Sequence, residues 1–191
     1  MTKARMLAPQ WGAVLGLAAM ASWAGSYSDT ITLFKNAGES GAFFNNCYGY
    51  AVFPTIGKGG FVVGGAHGSG RVFVHGHYVG DTSMNQVSVG FQAGGQAYSQ
   101  IVFFENKAAF DDFTKGNFEF GADVNAVAIT AAAGTSIGTT GASADASGGM
   151  KDARTAGKYY KGLAVFTIVK GGAMYQATVA GQKFSYSPKP S

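Results

Sequence analysis

Several stretches of this 191-residue chain carry residue types that could do chemistry. Thr55 to Arg71, TIGKGGFVVGGAHGSGR, sets many glycines beside a lysine and an arginine, the raw material of a phosphate cradle. The nucleotide-loop pattern wants serine or threonine directly after Gly-Lys, where Gly59 stands. No three glycines here show G-x-G-x-x-G spacing ahead of a plausible helix. A hairpin fits better: with His67-Gly68-Ser69-Gly70 as the turn, Phe61 to Ala66 and Arg71 to His75 become partner strands. Lys58 then lies about eight residues, on the order of 26 Å, back along the first strand, too far to share one phosphate with Arg71. His75 and His77, two apart, would share a strand face. A metal site would still need a third ligand from His67, Asp81 or Cys47, which the spacing does not supply, so no metal is expected. Gly134-Thr135-Ser136-Ile137-Gly138 matches the hydrolase elbow G-x-S-x-G, but every histidine precedes it, the reverse of the order that elbow requires. Asp111 and Asp112 are adjacent and point apart on a helix, as a solvated face does. No catalysis and no cofactor are expected.

The cations are more informative. Residues 26–150 carry five basic side chains against nine acidic ones, whereas residues 151–191 carry seven against Asp152 alone. Such asymmetry points to an anionic partner for the C-terminal part. Lys151, Arg154, Lys158 and Lys161, with Tyr159 and Tyr160 between, would fall within an arc of about 80° on a helix. Alternatively KYYKGLAVF runs straight into a strand, with Lys158 and Lys161 on opposite faces. Near an anionic membrane each lysine or arginine contributes about 1 kcal/mol, and tyrosine suits the interface. The overall excess of charge is too small for a nucleic-acid binder.

The elements that must position these residues are short. Thirty glycines and only four prolines, beside 15 phenylalanines and nine tyrosines, favour brief strands joined by tight turns over long helices. Asp29 is placed to cap a short helix carrying Ile31, Leu33 and Phe34, and another short piece is expected through Phe43 and Phe44. AVF, FVV, RVFVHGHYV and VSVGFQAGGQAYSQIVFF read as strands. KAAFDDFT, 107–114, is the clearest mid-chain helix, ended by Lys115-Gly116. From Ala126 to Gly149 the sequence thins into Ala, Gly, Ser and Thr, with edge or packed strands expected at its start. The class is α+β, mainly antiparallel strands with a few short helices.

The first 24 residues read as a secretory signal peptide: Lys3 and Arg5, an apolar run from Trp11 to Met20, and small residues that allow cleavage after Ala21 or Ala24. Residues 25–191 then form one exported domain, periplasmic or associated with the cell envelope. Cys47 is the only cysteine, so no intrachain disulfide is available. It lies too far from the leader to carry a lipid anchor.

The chain also repeats itself. GYAVFPTIGKGG, from Gly49, and GLAVFTIVKGG, from Gly162, agree at nine of eleven positions once Pro54 is set aside. Two related strand-turn-strand units around a pseudo-symmetric core are expected.

The run GYAVFPTIGKGGFVVGGAHGSGRVF, then VSVGFQAGGQAYSQIVFFENKAAFDDF and the later KGLAVFTIVKGG, resembles the lipid-binding SYLF domain family. Several motifs recur in order across about Asp29 to Tyr186. That resemblance implies binding to phosphoinositides or other acidic phospholipids, actin association in some eukaryotic members, and no known catalysis. No companion Src-homology-three or zinc-finger domain is expected, and an exported protein does not meet actin, so only lipid binding is carried over. Lys58, Arg71, Lys151, Arg154, Lys158, Lys161, Lys170 and Lys183 are the candidate headgroup contacts, with Tyr159 and Tyr160 at the membrane interface. The alternative is a structural or protein-interaction module of the envelope.

Overall fold

The computed structural model describes residues 18–60, 63–89, 96–129, 158–171 and 179–191. Eight strands form one sheet in the order β5-β8-β3-β2-β1-β4-β7-β6. They are β1 (Gly49–Gly60), β2 (Val63–Val74), β3 (His77–Val89), β4 (Gln96–Phe104), β5 (Phe118–Glu119), β6 (Ala126–Ile129), β7 (Leu163–Gly171) and β8 (Lys183–Pro188). Every pairing is antiparallel except that of β6 with β7, so the sheet is mixed.

Alternation along the strands sends side chains to two separate cores. On one face, hereafter the inner, Phe53, Ile56, Val102, Phe104, Val72, Met84 and Phe184 gather. Phe113 of α4 (Lys107–Phe113) packs there, as does Phe120. Phe184 holds the middle, with ring centroids 4.9 Å from Phe120, 5.0 Å from Phe113 and 5.7 Å from Phe53. The outer face of β1, β4 and β7 presents Val52, Ile101, Phe103, Phe166 and Ile168. It is covered by α1 (Ala18–Asn36) and α3 (Phe43–Asn46), with α2 (Gly38–Gly41) joining them. On α1, Tyr27, Thr30, Ile31 and Phe34 recur at the three- and four-residue spacing of one helix face, and Phe34 is fully buried. Asp29 is therefore a mid-helix residue and not the cap expected of it. The helix at 107 forms as expected, capped by Asn106, whose side chain accepts from the Ala109 amide at 3.0 Å.

The glycine-rich stretch is a strand where a turn was expected. β2 runs unbroken through His67-Gly68-Ser69-Gly70, pairing with β1 on one side and β3 on the other. Gly64, Ala66, Gly68 and Gly70 alternate on the inner side, and these small residues leave room for Phe53 and Ile56 of β1. A Cβ on Gly70 would lie 2.6 Å from the Phe53 ring, and one on Gly68 2.6 Å from Ile56. The actual turn into β3 is His75-Gly76, with φ of 49° and 80°, between the paired Val74 and His77. Two positive φ values are the signature of the type I′ hairpin. His75 and His77 consequently do not share a strand face, and among the described residues no three His, Cys, Asp or Glu side chains converge.

The repeated motif falls on β1 and β7, the two strands that flank β4. They run in the same direction but one residue out of register: Val102 faces Ala51 on one side and Val165 on the other. Equivalent residues therefore point to opposite faces, Phe53 inward and Phe166 outward, Ile56 inward and Ile168 outward. The unmatched residue, Pro54, sits where a bulge interrupts β1 between Phe53 and Ile56, a position that tolerates its missing donor. Its carbonyl accepts from the buried Ser99 hydroxyl at 2.7 Å. The likeness stops at the strand, because β1 is followed by its neighbour β2 whereas β8, the strand that follows β7 among the described residues, pairs with β3 and β5.

Candidate functional site

The central strands β2, β1, β4 and β7 contain no aspartate or glutamate, and between them carry Lys58, Arg71 and Lys170. Lys58 stands near the end of β1, opposite Ala66 on β2 and Gln96 on β4, and so on the inner side. It is half-buried, and desolvation holds its ammonium pKa below the ordinary lysine value. Among the described residues no carboxylate pairs with it. Its repeat counterpart Lys170 lies at the same end of the sheet but on the outer side. There it reaches past β4 to donate to the Thr55 hydroxyl at 3.1 Å. Val87 belongs to this end too. It pairs with Gly65, which pairs with Gly59, and with no side chain on that glycine to cover it Val87 is 78% exposed.

The other candidates go elsewhere. Arg71 faces outward, opposite to Lys58, ion-paired with Asp81 at 3.7 Å and set 4.6 Å from the Tyr27 ring and 5.1 Å from the Tyr78 ring. It clasps α1 to the sheet. Lys161 binds Asp123 at 2.5 Å, and Tyr160 donates to the same carboxylate at 2.7 Å. Together they hold the Asp123 carboxyl down to about 2. Lys183 pairs with Glu119 at 3.8 Å. Lys158 is exposed in a bend, and Lys161-Gly162 is a second two-residue turn with φ of 51° and 78°, so neither lysine is on a helix. Lys151 and Arg154 lie outside the described residues, as does the 134–138 elbow. Tyr159 packs on the outer-face core: its ring lies 5.0 Å from Phe43, and its buried hydroxyl has no partner among the described residues.

The eight cations thus divide. Three are neutralised locally, and Lys58 and Lys170 share one end of the sheet. Val87 escaped the sequence reading because VSV looks like ordinary strand alternation. The glycine in the facing strand, Gly65, was the available signal that it would be uncovered. No helix among the described residues is long and apolar enough to cross a membrane.

Residues 85–187 match the family model Ysc84, described as Las17-binding protein actin regulator. Beta cell expansion factor A of Aeromonas veronii is 29% identical over 156 residues, which cover 81% of this chain and 51% of that protein. The chain therefore spans about half the length of this curated relative. The matched segment takes in the end of β3 and everything from β4 to β8, more than half of the chain, and on that ground the chain belongs to the Ysc84, or SYLF, family of binding and regulator domains.

Proposed function

We propose that this domain binds acidic phospholipid at a membrane surface, without catalysis, through the end of the sheet that carries Lys58, Lys170 and Val87. The family is associated with lipid binding and actin regulation, which supports the general class. The observation that carries the finer reading is the pairing pattern. Arg71, Lys161 and Lys183 each have a carboxylate, whereas Lys58, Lys158 and Lys170 have none among the described residues, and of these three Lys58 and Lys170 share one end of the sheet. A half-buried ammonium with desolvation unopposed gains most from an incoming anion, because the anion replaces the hydration already lost. Val87 adds an apolar contact beside the charges. The reading includes export, with the leader removed after Ala21 or Ala24, so the partner is a membrane and not actin.

Vesicle flotation tests it. Wild type should float with vesicles containing phosphatidylglycerol, less so as salt rises, and not with phosphatidylcholine alone. At about 1 kcal/mol per cation, Lys58→Ala/Lys170→Ala should weaken partitioning by about 30-fold, while Lys161→Ala leaves it nearly unchanged. Equal binding of the double variant and wild type, or equal flotation with both vesicle types, would refute the proposal.

A further inference from the structure

The far end of the molecule holds a cleft of about 630 Å³ that the lipid reading does not use. It opens between the 35–47 segment, the start of β1 and the His75-Gly76 turn. Its lining includes Lys35, Phe44, Asn45, Cys47, Tyr50 and His75. None of the lining residues is acidic among the described residues. The Lys35 ammonium is held 5.4 Å from the centroid of the Phe44 ring and has no carboxylate partner among the described residues. The Asn45 side chain and the His75 ring likewise have no hydrogen-bond partner among those residues, although His75 meets the Tyr48 ring edge-on at 5.1 Å. Burial holds the Cys47 thiol and the Tyr50 phenol above their ordinary pKa values, so both stay neutral. The charge of the cleft is therefore positive.

His75 is the second observation. It occupies the first central position of a type I′ turn at φ 49°, a left-handed conformation that histidine, like asparagine and aspartate, adopts more readily than most residues. That turn places His75 in the lining of the cleft, together with Lys35.

We propose that this cleft binds a small organic monoanion, an acid group joined to an apolar body, with Lys35 supplying the charge, Asn45 and His75 hydrogen bonds, and Phe44 the apolar wall. The volume lies within the usual range for small-molecule sites. The inference is independent of the lipid reading, since the two involve different residues at opposite ends of the sheet.

The probe is 8-anilinonaphthalene-1-sulfonate, an aromatic sulfonate of that class, and the sole cysteine reports where it sits. Fluorescence titration of the full chain should show saturable binding at one site, and saturating probe should slow iodoacetamide alkylation of Cys47 about tenfold. Lys35→Glu should weaken probe binding by about tenfold or more, with an unchanged melting temperature and unchanged vesicle flotation. Phe44→Leu, which keeps an apolar residue in the packing, should weaken it less. The proposal is overturned if Lys35→Glu binds the probe as wild type does, or if Cys47 alkylates at the same rate with and without it.

Discussion

Gly70→Ala should damage the fold while Gly59→Ala should not, although both glycines belong to the same conspicuous run. At Gly70 the added methyl would meet two atoms of the Phe53 ring at 2.6 and 2.7 Å and the Val52 carbonyl oxygen at 2.8 Å. Ordinary carbon contacts are about 3.5–4.0 Å, so the overlap is about 1 Å. Neither obstacle can yield cheaply. Phe53 is fully buried and packed against Phe184, and Val52 is held in β1 between β2 and β4. Overpacking of this kind costs about 1–3 kcal/mol, which for a domain of this size lowers the melting temperature by about 3–10 °C. At Gly59 a Cβ meets nothing within 4 Å, and the residue is exposed. There the smaller entropy of the unfolded chain should leave stability equal or raise it by about 0.4–1 kcal/mol. Thermal denaturation followed by circular dichroism measures both. If Gly70→Ala melts with wild type, or Gly59→Ala falls as far as Gly70→Ala, the inner side of β2 is not the close contact on which the packing argument rests.

Two further outcomes follow from side chains far apart in sequence. Gln100 and Gln182 exchange amide hydrogen bonds of 2.9 and 3.1 Å inside the sheet, and Gln182 also donates to the Tyr98 hydroxyl at 3.2 Å. Either Gln→Leu alone should cost about 1–3 kcal/mol by stranding its partner, and the double variant should recover much of that, a coupling that urea denaturation of the four proteins would read. Asp123, held down to about 2 from an ordinary 3.8, contributes stability that is complete above the unfolded value and lost as pH falls through the folded one. Urea midpoints measured from pH 5 to pH 2 should therefore fall less steeply in Asp123→Asn than in wild type.

Local patterns were legible where sequence neighbours make the structure. The alternation of RVFV and the helical spacing of KAAFDDF correspond to elements near the expected positions, whereas of the two expected strand-turn-strand units only the strands β1 and β7 are alike. Gly-Ser-Gly in β2 misled because glycine signals both a turn and a close approach, and only the strand across the ladder decides which. Of the true turns, His75-Gly76 begins with a residue type that tolerates positive φ, whereas Lys161-Gly162 begins with one that does not advertise it. Asp29 looked like a cap, yet the helix that contains it already runs from Ala18. The charges were visible but their pairing was not. Asp81 reaches Arg71 across β2 and β3, and Glu119 reaches Lys183 from an edge strand more than sixty residues earlier. Neutralisation is a property of strand order, which no local pattern encodes.

The family match begins at residue 85, yet the folding unit cannot begin there. β1 is hydrogen-bonded on both sides, to β2 and to β4, and its Ala51, Val52, Phe53 and Ile56 are all fully buried. Those four residues divide between the two cores, Ala51, Phe53 and Ile56 inward and Val52 outward. Removing β1 would strip the middle of both cores and leave β4 with an open edge, a loss that no rearrangement at the periphery could restore. β7 does the same work on the other side of β4 with nearly the same sequence turned over, which explains why one motif could serve twice. Residues of the types in AVFTI are apolar or small enough to be buried from either face, and the bulge at Pro54 absorbs the single residue by which the two copies differ. The lysine that closes each copy is carried to opposite faces of one end by the same inversion. The pair proposed to meet a membrane thus occupies matching positions of two like strands, and in that proposal Lys58 and Lys170 are tested together as one site.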